Sequence, residues 1–190
     1  MWVPSIPLPE EFFSSKNNKP IAYCVMCGRS LLNDNSPYLV EKAFQRNLST
    51  NKFETVFEYA LCSACQSKAA SELSAESMKR IKMYYELYVD FNKRQEEFDK
   101  ARNKNFSMLI SNCIVTKKPV EEYNSYQIGG MCFRDKLLTG NLPFAVGEKA
   151  IDEIQELISK KTRDFLDHFK ETIIPPGVTD KVPDDFLILI

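Results

Sequence analysis

The sequence predicts an α+β fold in which two small mixed units are joined by a long helix. Runs rich in β-branched and aromatic residues occupy 38–44 and 53–60, and apolar residues recur at helical spacing after position 74. A second succession of strand-like and helix-like segments follows position 106. At 190 residues the chain is long enough for one domain, or for two small ones that share a core.

Residues 1–20 are expected to form an extended, proline-rich arm. Prolines recur between scattered apolar residues there, and proline removes backbone donors and disfavours helix. We expect the apolar side chains of the arm to pack on the body of the protein. The arm has no basic start and no unbroken apolar run, so it does not resemble a signal peptide. No apolar run reaches the roughly 18 residues that a transmembrane helix needs.

Two pairs of cysteines carry the strongest chemical signal in the chain. Two residues separate Cys24 from Cys27, two residues also separate Cys62 from Cys65, and Gly28 follows the first pair. A tight turn between such cysteines directs both sulfurs at one point, about 2.3 Å from a zinc ion. Glycine after the pair permits the positive φ that this turn favours. The pattern predicts one structural Zn²⁺, in a reducing cytoplasm where paired cysteines favour metal over disulfide.

A β-hairpin is expected to bring the two cysteine pairs together. The strand-like runs 38–44 and 53–60 flank the polar residues 47–51, which predict a turn. A hairpin of this kind returns the chain, so that the second pair lies beside the first. We therefore interpret residues 21–75 as one zinc-binding unit.

A single long helix is expected over residues 76–105. Ser74 predicts its N-cap, and Glu76 in the first turn favours the positive end of the helix dipole. Apolar side chains follow at steps of three or four residues and line one face. Such a stripe is more often core than a ligand groove. Its members are Met78, Ile81, Tyr85, Tyr88 and Phe91.

A second α+β unit is expected over residues 106–190. Residues 123–131 predict a strand, and 147–158 predict a short amphipathic helix. Ser159 predicts the N-cap of a last helix that ends before a Pro-Pro-Gly sequence. The tail 182–190 is apolar, and we expect it to be packed because an exposed apolar strand favours aggregation.

The overall charge disfavours a dedicated nucleic-acid-binding protein. The net charge is −1 and the pI is about 6.0, whereas such proteins usually carry a basic face and a high pI. Basic residues near the hairpin and on the long helix nevertheless keep a ribosome- or transcription-associated function as the second candidate. These residues are Arg29, Lys42, Arg46, Lys52, Lys79, Arg80 and Lys82.

The first cysteine set resembles the treble-clef group of zinc fingers. The resemblance covers residues 21–75 and lies in a CxxCG turn, a hairpin, and a CxxC at a helix start. It implies that one cysteine pair lies in the turn and the other at the helix N-terminus, whose dipole favours thiolates. Treble clefs serve many functions, so the resemblance implies a metal and a local shape without an activity. The whole chain also resembles a family of bacterial proteins, and that resemblance implies no activity either.

The second unit echoes the cysteine pattern of the first. In each echo the first cysteine remains, as Cys113 and Cys132, and the second is replaced, by Thr116 and Asp135. This pattern favours a degenerate internal repeat of the treble-clef plan. The matched segments are 24–29 with 113–118 and 59–65 with 129–135.

Three outcomes are open for this second unit. The favoured one is a unit without metal, in which Cys113 and Cys132 are small buried hydrophobic residues. Another is a second zinc held by Cys113, Cys132 and Asp135, with or without His168, which leaves the open position of catalytic zinc. The last is a pair of thiols with redox or nucleophilic function.

The leading functional expectation is an interaction or adaptor protein without catalysis of its own. A closed four-cysteine site and the absence of a recognisable acid–base motif support it. We expect a protein partner and no association with membranes. The third candidate, after nucleic-acid binding, is an enzyme whose site lies in the second unit.

Overall fold

The computed structural model describes residues 4–101 and 105–173, which form mixed α and β structure around a mainly antiparallel sheet. The α+β class expected from the sequence is therefore correct. The strands are β1 Ser5–Pro7, β2 Phe13–Ser14, β3 Lys19–Pro20, β4 Tyr38–Asn47, β5 Lys52–Cys62, β6 Ser125–Phe133, β7 Lys136–Leu138 and β8 Phe144–Gly147. The helices are α1 Ser63–Glu72, α2 Ala75–Tyr88, α3 Phe91–Lys100, α4 Glu148–Leu157 and α5 Lys160–Ile173.

One sheet runs through both halves of the chain. Its strand order is β1-β7-β6-β4-β5, and β8 also pairs with β6. The β4–β5 hairpin runs from the Tyr38–Cys62 pair to Asn47–Lys52. On its other edge β4 pairs with β6, from Tyr38–Cys132 to Gln45–Ser125. The halves that the sequence suggests as separate units are thus joined by eight residue pairs of a shared ladder.

The two faces of the sheet are covered differently. On one face, Tyr59 of β5 contacts Phe169 of α5, and Tyr85 of α2 contacts Phe144 of β8. On the other face, Phe12 of the N-terminal arm is fully buried against Gly130. A Cβ at position 130 would approach the Phe12 ring within 2.5 Å, so the missing side chain makes room for the arm. The helices and the arm enclose the sheet from opposite sides.

The prediction of one long helix over residues 76–105 is wrong, because the helix ends at Tyr88. Val89 has an extended conformation, with φ −128° and ψ 115°. Asp90 then caps a new helix by accepting a hydrogen bond from the Lys93 amide at 2.9 Å. An aspartate favours an N-cap over a helix interior, so this residue divides the stretch into α2 and α3.

Two helix pairs begin and turn in corresponding ways. Helices α1 and α2 follow β5, and helices α4 and α5 follow β8. The first helix of each pair has ten residues and the second has fourteen. Ser74 and Ser159 precede the longer helices, and their hydroxyls accept from the amides of Ser77 and Thr162. The caps also interlock, since the amide of Ser74 donates to Thr162 at 3.0 Å and that of Ser159 to Ser77 at 2.8 Å. The two N-caps predicted from the sequence therefore meet in one cluster of hydroxyls, in which Ser77 and Thr162 are buried.

The apolar tail 182–190 and the prolines before it lie outside the described residues. Within the part of the chain that the structure describes, no helix combines the length and the apolar character needed to cross a bilayer.

Candidate metal centre

The four cysteines of the two CxxC motifs converge in the structure. Cys24 and Cys27 belong to a turn over residues 24–29, which we call the first cysteine turn. Cys62 ends β5 and caps α1, and Cys65 lies in the first turn of that helix. The ligand atoms of these four residues all lie within 4.8 Å of one another.

The first cysteine turn is closed by its own backbone. The amide of Gly28 donates to the carbonyl of Cys24 at 2.9 Å, and the amide of Cys24 donates to Arg29 at 2.9 Å. Gly28 has φ 68°, a conformation that glycine adopts at little cost. The amide of Val25 then donates to the carbonyl of Ala60 at 3.0 Å, which holds the turn against β5. The hairpin and this bond set the distance between the two cysteine pairs.

The sulfur positions fit a tetrahedral metal ion. The Sγ atoms of Cys27 and Cys62 are 3.8 Å apart. Four thiolates about 2.3 Å from a tetrahedral zinc are separated from one another by about 3.8 Å. All four cysteines are free thiols rather than disulfides. The donor set and its spacing therefore suit zinc, and Cys24, Cys27, Cys62 and Cys65 are the residues that would hold it.

Backbone donors favour the thiolate form at part of the site. Burial alone would raise the pKa of Cys24, but hydrogen bonds from the amides of Cys62, Cys27 and Met26 lower it to about 7. Burial raises the pKa of Cys62 and Cys65, and the positive dipole at the N-terminus of α1 acts in the opposite direction. Metal binding requires deprotonated thiols, so the backbone donors and the helix dipole assist it.

Four thiolates leave no coordination position for a substrate or a water. Zinc sites with four cysteine ligands are closed and structural, whereas catalytic sites keep an open position. The geometry can therefore cross-link the turn, the end of the hairpin and the start of α1. It offers no Lewis-acid chemistry to a substrate.

The residues considered for a second metal site do not form a comparable group. Cys113 forms a parallel β-bridge with Ala145 of β8, and Ala145 pairs with Ile128 of β6. Cys132 lies four residues further along β6 than Ile128, which corresponds to about 13 Å of strand. His168 lies on α5 with its side chain 80% exposed and its Nδ1 atom 3.8 Å from Glu171. Among the described residues, the four cysteines of the first set are the one group of potential metal ligands that converges.

Residues 113–118, which we call the second cysteine turn, share the backbone geometry of the first. The amide of Cys113 donates to Lys118 at 2.8 Å, and the amide of Lys117 donates to Cys113 at 2.9 Å. Lys117 has φ 64° where the first turn has Gly28. The amide of Ile114 donates to Ala145 of β8 at 2.8 Å, as that of Val25 does to Ala60 of β5.

The positions that correspond to the other ligands differ from those that the sequence suggests. Gly147 caps α4 as Cys62 caps α1, so Ala150 corresponds to Cys65. Cys132 instead lies on β6 opposite Tyr38, and its pairing with Cys62 in the sequence comparison is wrong. The serine caps at 74 and 159 give the same alignment, because Cys62 and Gly147 each precede their serine by the same interval.

Tyr123 lies between the second cysteine turn and the start of α4. A Cβ at Gly147 would come within 2.5 Å of its ring, and its hydroxyl shares a short hydrogen bond with Thr116. Tyr123 is only 6% exposed to solvent. Sequence reasoning did not identify Tyr123, since nothing local distinguishes it from other core aromatics.

Two of the basic residues that favoured nucleic-acid binding, Lys42 and Arg46, make contacts within the fold. Lys42 is 5% exposed, lies 3.3 Å from Glu58 and donates to the carbonyl of Phe13 at 2.6 Å. Arg46 donates to the carbonyl of Tyr123 at 3.0 Å and stacks over the Phe53 ring at 4.4 Å. Because Lys42 and Arg46 already have partners within the protein, both are poorly placed to bind an external phosphate.

Comparison of the chain with protein-family models, with curated proteins and with solved structures finds no match.

Proposed function

We propose that the chain is a zinc-stabilised interaction module with a protein partner and no catalysis of its own. The observation that carries this proposal is the convergence of four thiols within 4.8 Å, a closed ligand set that suits structural zinc. One ion per chain holds the first cysteine turn against α1. Binding surfaces, rather than the metal, then provide the function.

The module consists of two treble-clef-like halves, of which only the first keeps its metal. Support comes from the matched hydrogen bonds of the two cysteine turns and from the matched serine caps of α2 and α5. In the second half Thr116, Gly147 and Ala150 take the ligand positions, and Tyr123 bonds Thr116 and packs against Gly147. The ring is a substitute for the ion in organising this half.

The outer face of α2 is the partner-binding surface in this proposal. Met83 is 58% exposed and Leu87 is 74% exposed, four residues apart on one side of the helix. His168 and Thr172 of α5 follow Ser159 at the same intervals in the sequence at which Met83 and Leu87 follow Ser74. Two helices of equal length and related position thus differ in this respect, and the apolar side chains lie on α2 alone. Exposed apolar side chains that serve no internal packing are typical of interaction sites.

A comparison of two double variants tests this surface. M83E/L87E places charge on α2, and H168E/T172E places the same charge at the corresponding sites of α5. We expect the unmodified chain and the α5 variant to capture the same protein from extracts of the cells that express it, and M83E/L87E to lose about tenfold or more of it. Equal capture by both variants, or the absence of any specific protein, would contradict the proposal.

A further inference from the structure

The four zinc ligands differ sharply in their access to solvent. Cys24 and Cys62 are each 2% exposed, and Cys65 is partly exposed. Cys27 alone among them is exposed. Small oxidants react with thiolates that they can reach, so access separates Cys27 from its three neighbours.

We propose that Cys27 is an oxidation site for hydrogen peroxide, and that Cys62 then forms a disulfide with it and releases the zinc. This inference rests on the zinc site proposed above. The Sγ atoms of Cys27 and Cys62 lie 3.8 Å apart, which is within reach of a disulfide after a small movement of the turn. Cys62 lies at the end of β5, so the exposed thiol is the mobile partner and the buried one is held by the sheet.

The reaction proceeds in two balanced steps. The Cys27 thiolate attacks one peroxide oxygen, the O–O bond breaks, and hydroxide leaves, which gives a sulfenic acid at Cys27. The Cys62 thiolate then attacks the Cys27 sulfur, the S–O bond breaks, and a second hydroxide leaves as the disulfide forms. The two thiolates lose two electrons in total, and the peroxide is reduced to two hydroxides, which the buffer neutralises. Zinc leaves because two of its four thiolates no longer exist.

The remaining cysteines of the chain serve as internal references. Cys113 and Cys132 are fully buried, and burial raises the pKa of the Cys132 thiol to about 12. Neither is expected to react before the protein unfolds. Early oxidation should therefore be confined to the zinc site and should begin at Cys27.

Two histidine variants test the proposal on the zinc-loaded chain. Cys27→His and Cys65→His both keep four ligands in a Cys₃His set, which is common for structural zinc. Zinc release by hydrogen peroxide is followed with a chromogenic chelator, and the first modified cysteine is identified by mass spectrometry after alkylation. We expect Cys27→His to release zinc about tenfold more slowly than the unmodified chain, and also more slowly than Cys65→His.

The outcomes distinguish this inference from the zinc site itself. Equal protection by both variants, or first modification at Cys24, Cys62 or Cys65, would overturn the assignment of Cys27. A Cys27–Cys24 disulfide in the oxidised chain would overturn the role of Cys62. If Cys27→His fails to bind zinc, the peptide map of the unmodified protein still decides between these outcomes. A purified chain that contains no zinc would instead refute the metal site, whatever its peroxide chemistry.

Discussion

At the scale of single residues, Tyr123 connects the second cysteine turn to α4, as the proposed ion would connect the first cysteine turn to α1. Its hydroxyl bonds Thr116 and its ring lies against Gly147, so one side chain connects the turn to the start of α4. A buried ring supplies this connection by packing, whereas an ion supplies it by coordination. Most of the stabilisation at Tyr123 should therefore come from the ring rather than from the hydroxyl.

Substitution of Tyr123 tests this interpretation. We expect Tyr123→Ala to lower the free energy of unfolding by about 3–5 kcal/mol, because it removes a buried ring and leaves a cavity. Tyr123→Phe should cost only about 1 kcal/mol, the net contribution of one hydrogen bond. Chemical denaturation measures both values, and zinc content should be unchanged in both variants. A loss in Tyr123→Phe as large as that in Tyr123→Ala would show that the hydroxyl, and not the ring, organises the second half.

At the scale of elements, Glu58 joins the N-terminal arm to β5. Its carboxylate accepts hydrogen bonds from the Ser14 hydroxyl at 2.6 Å and from the Ser15 amide at 2.9 Å. It also forms a largely buried ion pair with Lys42 at 3.3 Å, and Lys42 in turn bonds the carbonyl of Phe13. These contacts fix the segment around residues 13–15, and the buried Phe12 next to it, on the sheet.

The protonation of Glu58 should make this anchoring dependent on pH. Burial alone would raise the pKa of Glu58, but the bonds from Ser14 and Ser15 and the charge of Lys42 lower it below its ordinary value. A depressed pKa in the folded state stabilises the protein above the unfolded pKa near 4.3, and this stability is lost as pH falls through the folded value. We expect Glu58→Gln to cost about 2 kcal/mol at neutral pH. The difference from the unmodified chain should shrink in unfolding experiments below about pH 4, and a difference that stays constant with pH would contradict this role.

At the scale of the whole molecule, local chemistry was predictable and long-range pairing was not. The cysteine spacing, the positive φ of Gly28 and the serine caps at 74 and 159 depend on a few neighbouring residues, and sequence reasoning identified each of them. The β4–β6 ladder joins residues about ninety positions apart, and no local pattern encodes its register. The match of residues 59–65 with 129–135 fails for the same reason, because Cys132 lies on β6 opposite Tyr38 and does not precede a helix. The apolar spacing continues across Asp90, so periodicity alone does not reveal the break between α2 and α3.

The proposed zinc site should stabilise more of the molecule than its own four residues. Cys62 ends the strand that pairs with β4, and β4 pairs in turn with β6 of the second half. Loss of the ion should therefore weaken the hairpin, α1 and the shared sheet together. Apparent zinc-binding energies of about 10–16 kcal/mol in finger peptides are large compared with the stability of a typical domain.

The most direct test is the zinc content of the purified, reduced chain together with that of two serine variants. We predict about one zinc per chain in the unmodified protein and in C113S/C132S, and about none in C24S/C62S, which should also resemble the chelated protein in its thermal unfolding. No zinc in the unmodified chain, or an unchanged content in C24S/C62S, would contradict the account.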